Sequence, residues 1–316
     1  MDLDVVFIGT AGSAPTARRS LPATLVRRGG DRLLFDCGEG TQRQLLRSIG
    51  LIELEEVFIT HFHADHWMGL PGMLKTFSLR GRERPLTVYG PPGLRALFQS
   101  MKAVIGKSTY PLTLVELEPG EELERDGYLI APFAVKHRVP AYGYAIVEHE
   151  RPGRFDDAKA RELGVQPGPD FGRLQRGESV AGVSPQQVLG PARAGRKVVL
   201  AGDTAPCDMT LAVAHGADLL VHEATFIDAD AERAAETMHS TALAAARLAA
   251  EAEVKMLALT HVSPRYSGGE LRDEARTAFE NTIVPRDFDS VEIPLPERGE
   301  PLHHRQALPS AEQQFL

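Results

Sequence analysis

The sequence predicts an α/β protein with helices packed on sheet, and two observations carry that prediction. Short runs of β-branched and aromatic residues alternate with helix-length segments along most of the 316 residues, the arrangement that layers helices on sheets. Several of these apolar runs stop at His or Asp, so a loop carrying potential metal ligands follows a buried strand. The densest such loop is His61-Phe62-His63-Ala64-Asp65-His66, directly after Val57-Phe58-Ile59-Thr60.

Taken in order, residues 5–9 form a strand and enter a loop, 10–20, that holds Gly12, Pro15, Arg18 and Arg19. Strands 23–27 and 32–36 are joined across Gly29-Gly30, a hairpin signal. Gly38-Glu39-Gly40-Thr41 precedes a helix with apolar Leu45, Leu46 and Ile49. After His66 comes a helix over 68–79 whose first turn begins near Asp65. A strand at 86–89, a helix at 92–101 and a strand at 129–135 follow, the last leading to His137. In the final third, 197–201 leads to Asp203, 219–221 to His222-Glu223-Ala224-Thr225, and 256–260 to His261. The Ala-rich helix 242–251 follows His239-Ser240-Thr241, whose hydroxyls can cap it.

One stretch, at about 150–178, breaks the alternation. It is rich in Gly and Pro and has too few apolar residues for a core segment. Arg151, Arg154, Lys159, Arg161, Arg173 and Arg176 lie in it, offset in number by acidic residues. A structureless loop this long within a compact domain points either to function or to disorder. The domain reading is therefore 1–295 as one catalytic domain with this insert, and 296–316 as a mobile polar tail. His303-His304 in that tail lacks strand context.

Bulk composition sets limits. At 43% hydrophobic and 25% charged, the chain can bury one large core or two smaller ones. A net charge of −8 argues against a polyanion-binding surface spread over the whole molecule. Met1-Asp2-Leu3-Asp4 runs straight into a strand-like segment, with no basic and apolar signal regions. The most apolar helix contains Arg247 and is too short to span a bilayer, so no membrane is expected. Cys37 and Cys207 are the only cysteines, which suits a reducing cytoplasm rather than a disulfide scaffold.

Four strand ends offer seven ligands: His61, His63, Asp65, His66, His137, Asp203 and His261. Imidazole and carboxylate bind divalent metals in hydrolytic sites, zinc above all. Seven exceed what one tetrahedral ion needs, so two metals are the economical reading. His61, His63 and His137 would hold one, Asp65, His66 and His261 the other, with Asp203 bridging. Paired metals suit displacement at phosphorus.

The H-x-H-x-D-H cluster with downstream His, Asp and His resembles the ligand pattern of the metallo-β-lactamase superfamily. That resemblance implies an αββα sandwich, two mixed β-sheets flanked by helices, with the metals at one edge. Ligand spacing alone leaves lactonases, phosphodiesterases, sulfatases, thioesterases and β-lactamases open. Phe35-Asp36-Cys37-Gly38-Glu39-Gly40-Thr41, Gly202-Asp203-Thr204, His222-Glu223-Ala224-Thr225 and His239-Ser240-Thr241 are similar to motifs of the ribonuclease Z family. Gly168-Pro169-Asp170-Phe171-Gly172-Arg173-Leu174 resembles the protruding Gly/Pro-rich arm of its short bacterial form. The likeness runs from the first strand to about Val284.

Membership would imply a zinc-dependent endoribonuclease that removes the 3′ trailer from precursor tRNA, leaving a 3′-hydroxyl on the tRNA and a 5′-phosphate on the trailer. Asp65 would also accept the proton of the attacking water, and His239, oriented by Glu223, would protonate the leaving oxygen. Arg151, Arg154, Lys159, Arg173 and Arg176 on the arm would grip the RNA, with Arg18, Arg19 and the Arg80, Arg82, Arg84 cluster as further contacts. A homodimer is implied too, the arm of one subunit serving the site of the other. The alternative is a small-molecule phosphodiesterase or arylsulfatase-like hydrolase of the same fold, with a short ordered lid in place of the arm.

Overall fold

The computed structural model describes residues 1–50 and 54–306. The chain first lays down β1 (Leu3–Gly9), β2 (Ala23–Arg28), β3 (Asp31–Phe35), β4 (Glu56–Phe58), β5 (Leu86–Gly90) and β6 (Leu112–Glu116). It then crosses to a second sheet with β7 (Leu123–Arg125), β8 (Tyr128–Ala134), β9 (Tyr142–Glu148), β10 (Lys197–Leu200), β11 (Leu219–Glu223), β12 (Met256–Thr260) and β13 (Thr282–Ile283). Finally β14 (Ser290–Glu292) and β15 (Leu302–His304) return to the first sheet. The strand orders are β15-β14-β1-β2-β3-β4-β5-β6 and β13-β12-β11-β10-β9-β8-β7. Each sheet is mixed: β3 to β6 and β10 to β13 pair in parallel, and the other neighbours are antiparallel.

Period-two alternation splits each buried strand between two cores. In β1, Val5 and Phe7 face the space between the sheets, while Val6 and Ile8 face the helical layer outside. Likewise Met256 and Ala258 of β12 face inward, and Leu257 and Leu259 meet the Ala242–Glu251 helix. Between the sheets the Phe58 ring stacks on Phe35 at 4.9 Å and on Tyr89 at 4.7 Å. Full burial of one such side chain contributes about 1.5–3 kcal/mol, so this aromatic stack fixes β3, β4 and β5 beneath the ligand loops. Outside the second sheet, Ala242, Ala245, Ala246 and Ala249 bring their helix close to the strands, and Thr241 caps it by accepting the Ala244 N–H.

Two segments depart from the sequence expectation. Instead of a structureless stretch at 150–178, an insert runs from Arg151 to Arg193, closed by the bridges Arg151–Arg193 and Phe155–Leu189. It contains the short helices Asp157–Glu162 and Pro169–Gln175. It also has a small core of its own, made of Ala160, Val165, Leu174, Val180, Val183 and Val188. At its base Gly153 lies so close to the Gly190 carbonyl that a Cβ there would sit 1.9 Å from the oxygen. The tail expected to be mobile adds an edge strand, β15, to the first sheet, and His303 bonds Asp289 at 3.1 Å. The last ten positions of the tail reading, 307–316, lie outside the described residues. Among the described residues no helix is long and apolar enough to cross a membrane.

Candidate metal centre

All four ligand-bearing loops open at one edge of the two sheets. The Tyr142 N–H donates to the Thr60 carbonyl at 2.9 Å, tying β9 to the loop after β4 at that edge. Asp36, in left-handed backbone at φ 59°, accepts from the Thr60 N–H at 2.8 Å and from its hydroxyl at 2.9 Å. It also accepts from Nδ1 of His66 at 2.7 Å. That bond places the proton of His66 on Nδ1 and leaves the Nε2 lone pair facing the pocket. Nε2 of His66 is buried and has no hydrogen-bond partner, which is costly for a polar atom unless a ligand meets it. In the sequence Asp36 stands within the Phe35–Thr41 motif with nothing nearby to mark its role. Its partner lies thirty positions downstream, too far for local spacing to reveal.

Imidazole nitrogens converge at the first candidate position. Nδ1 of His63 lies 2.9 Å from Nε2 of His61 and 3.2 Å from Nε2 of His137, whose Nδ1 donates to the Met238 carbonyl. Burial pushes the pKa of all three rings down, favouring the neutral, ligating form. A tetrahedral ion with 2.0–2.1 Å bonds to nitrogen has edges of about 3.3 Å, close to the spacing seen.

The second position gathers Asp65, His66 and His261. Oδ2 of Asp65 is 3.6 Å from Nε2 of His66 and 3.3 Å from Nε2 of His261. Asp203 stands between the two groups, its Oδ2 lying 3.2 Å from His261, 3.3 Å from His66 and 3.9 Å from His61. Burial opposes charge on both carboxylates, but the surrounding imidazoles overcome it and hold them well below their ordinary range. A pocket of buried carboxylates and imidazoles, with Nε2 of His66 left without a hydrogen-bond partner, fits divalent metal.

His261 is positioned by a relay. Its Nδ1 donates to the Thr225 hydroxyl at 2.8 Å, and that hydroxyl donates to Oε2 of Glu223 at 2.6 Å. The same carboxylate accepts Nδ1 of His239 at 2.6 Å and the Thr204 N–H at 2.9 Å. Burial disfavours a charged His239, but Glu223 outweighs it and raises the pKa. Gly12 packs against His261, where a Cβ would come within 2.4 Å of Nδ1. His222 is buried with Nδ1 donating to the Glu223 carbonyl, and it belongs to none of the candidate ligand groups. Cys37 is fully buried, which pushes its thiol up to about 12, so it is a packed residue rather than a nucleophile.

Few of the basic residues singled out in the sequence are free. Arg18 is exposed, but Arg19 turns inward and donates to the Thr10 hydroxyl at 2.6 Å and the Pro285 carbonyl at 2.7 Å. Arg19 is thus a loop anchor, because its guanidinium satisfies buried acceptors. Arg82 is similarly occupied, donating to the Pro85 carbonyl at 2.8 Å and lying over the Phe77 ring. Arg84 pairs with Glu55. On the insert, Lys159 pairs with Glu162, Arg173 with Asp170 and Glu178, and Arg176 with Glu178. Arg151 is held by Glu297 through bonds of 2.8 and 2.7 Å, and Arg154 is exposed.

Comparison with known proteins identifies the family. Residues 19–261 match the metallo-beta-lactamase superfamily. The chain is 45% identical over 300 residues to ribonuclease Z of Methanosarcina acetivorans, covering 92% of this chain and 98% of that protein. It is 46% identical over 307 residues to ribonuclease Z of Gemmatimonas aurantiaca, covering 94% and 98%. Among solved structures, the short form of human tRNase Z superposes with a TM-score of 0.67 at 28% identity, covering 92% of this chain and 99% of that one. YhfI from Bacillus subtilis, at a TM-score of 0.69 and 22% identity over 92% of this chain and all of that one, shares the fold. On these grounds the chain belongs to the ribonuclease Z family of the metallo-β-lactamase superfamily.

Proposed function

We propose that this protein is a tRNA 3′-processing endoribonuclease that cuts precursor tRNA to a 3′-hydroxyl and releases a trailer with a 5′-phosphate. One observation carries the chemistry: His239 stands within reach of Asp203, His137 and His261 at the pocket, but its Nδ1 is engaged by buried Glu223 at 2.6 Å, which suits a proton donor rather than a ligand. Two divalent ions, zinc by donor type, would be held by His61, His63 and His137 and by Asp65, His66 and His261, with Asp203 between them, and would supply a Lewis acid that lowers the pKa of a water in the pocket. Asp65 takes the proton of the attacking water as the new P–O bond forms. His239, its Nδ1–H engaged by Glu223, delivers a proton from Nε2 to the departing 3′ oxygen as the P–O3′ bond breaks. Asp36, Thr225 and Glu223 hold His66, His261 and His239 in the required tautomers.

A helical insert with its own core is far more than the short lid a small-substrate hydrolase would carry, and this supports a large substrate. The insert also supports a homodimer. It leaves the second sheet after Glu148 and returns before Lys197, at the ends of β9 and β10 away from Asp203. Seven strand residues at about 3.3 Å each put its base about 20 Å from the pocket. An arm rooted there is placed to serve the site of a second copy. Incubation of the zinc-loaded protein with a precursor tRNA, with both product ends mapped, tests the reading. A 3′-phosphate on the tRNA, or no cleavage, would overturn it.

A further inference from the structure

Beside the metal centre runs an open cleft of about 1420 Å³ whose lining is strongly basic. Arg18, Arg43, Arg47, Arg272, Arg286 and Arg305 reach it from five separate parts of the chain. Those parts are the loop after β1, the Thr41–Ser48 helix, the Gly268–Ala275 helix, the segment before β14 and the residues after β15. The cleft therefore depends on the tail strand, which the sequence did not lead one to expect.

Its charge is uncompensated, in contrast to the insert. Among the described residues no carboxylate pairs with Arg18, Arg43, Arg286 or Arg305, and Arg47 lies over the Phe288 ring. Arg272 has Asp273 beside it. Of the acidic residues lining the cleft, Asp287 is buried and spends its oxygens on Thr10, Ser20 and Gln44, leaving Glu39 as the exposed one. In a chain of net charge −8, such a concentration is a local positive field.

The cleft is continuous with the chemistry. Val262, Ser263 and Pro264 line it and directly follow His261. The loop that supplies Arg18 also supplies Ser13, whose N–H bonds Asp65 at 2.9 Å. Guanidinium groups recognise phosphate oxygens with two parallel bonds, and an array of them on separate elements suits a chain of phosphates better than one small anion. The volume also exceeds the roughly 300–1,000 Å³ of ordinary small-molecule sites.

We propose that this cleft binds the ribose-phosphate backbone of RNA flanking the scissile bond, on the Asp65 and His261 side of the site. The proposal rests on the ribonuclease reading above. Two parts of the substrate offer this chemistry, the single-stranded trailer and the acceptor stem.

The test is a triple variant, Arg43→Gln, Arg286→Gln and Arg305→Gln, all at exposed positions, compared with the wild type as zinc-loaded proteins. KM for precursor tRNA rises about tenfold or more, and the log–log salt slope falls by up to about three, one per lost phosphate contact. Hydrolysis of bis(p-nitrophenyl) phosphate stays unchanged, since the small ester does not reach the cleft. Precursors with trailers of one and ten nucleotides locate the contact. A defect confined to the long trailer assigns the cleft to the trailer, and an equal defect on both assigns it to the acceptor stem. A variant with undiminished KM and salt slope on both substrates overturns the cleft proposal alone. A wild type that neither binds nor cleaves precursor tRNA overturns the ribonuclease reading and the cleft with it.

Discussion

The backbone N–H of Ser13 donates to Oδ2 of Asp65 across 2.9 Å, from a loop fifty-two positions away in sequence. Ser13 sits in left-handed backbone at φ 61°, so the loop is bent to make that bond. Both ends of the loop are fastened by one buried carboxylate. Asp287 accepts the Thr10 N–H at 3.1 Å, the Thr10 hydroxyl at 2.7 Å, the Ser20 N–H at 2.6 Å and the Gln44 amide at 2.9 Å. Asp287→Ala leaves these donors unmet and lowers stability by about 1–3 kcal/mol or more. It also slows precursor and aryl diester hydrolysis by the same factor, about tenfold, because the loop no longer positions Asp65. Denaturant titration and kinetics on both substrates check this. A destabilised variant with full activity would show that the loop is held without Asp287.

His239→Ala slows cleavage by about 10²-fold or more, the usual scale for loss of a general acid, with metal content unchanged. Glu223→Gln keeps the shape but removes the charge that raises the His239 pKa, and it lowers kcat in the same direction by a smaller factor. Atomic absorption alongside the kinetics is the check. A fall in metal stoichiometry on removal of His239 would make that residue a ligand instead.

Stability at low pH depends on a buried triad remote from the metals. Glu148 accepts from Arg28 at 2.8 Å and from Arg196 at 2.7 Å. Burial opposes its charge, but the two guanidiniums overcome it and hold the carboxyl at about 2. Because the folded pKa lies below the unfolded value of about 4.3, the contribution is complete above that value. It is lost as pH falls toward 2, and it amounts to at most about 3 kcal/mol. Denaturation of wild type and Glu148→Gln at pH 7, 4 and 3 tests this. The gap between the two narrows across that window, and a gap independent of pH would refute the assignment.

Replacing residues 152–192 with a Gly/Ser linker removes the insert together with its private core and keeps the Arg151–Arg193 base. Since that core is separate from the three main ones, the fold survives. Remote binding contributes to a long substrate only, so kcat/KM on precursor tRNA falls by about tenfold or more while aryl diester hydrolysis is retained. Equal loss of both activities would mean that the insert supports the pocket itself.

The loops that converge on the pocket were legible in the sequence because their pattern is local: an apolar run, then His or Asp where the strand ends. The supporting network was not. Asp36 and Thr225 act through partners, His66 and His261, that lie thirty or more positions away, and only the pairing of strands brings them together. Strand β9 escaped notice because Tyr142-Gly143-Tyr144 lacks β-branched residues at its start and carries a glycine, which is here packed against Phe133. The core of the insert escaped for a related reason. Ala160, Val165, Leu174, Val180, Val183 and Val188 arrive singly among Gly and Pro, with no period for a pattern to report. Arg19 misled because a guanidinium facing inward to Thr10 and Pro285 reads in sequence like one facing RNA.

The base of the insert is a fixed point of the fold. Arg151 and Arg193 enter side by side and are clasped by the one carboxylate of Glu297, at the end of the sheet remote from every candidate ligand. Whatever is spliced between them inherits a rigid socket and leaves the reacting groups undisturbed. If the insert grips the substrate as proposed, substrate choice and catalytic power can change independently, and grafting a different module at this socket would re-aim the same pocket.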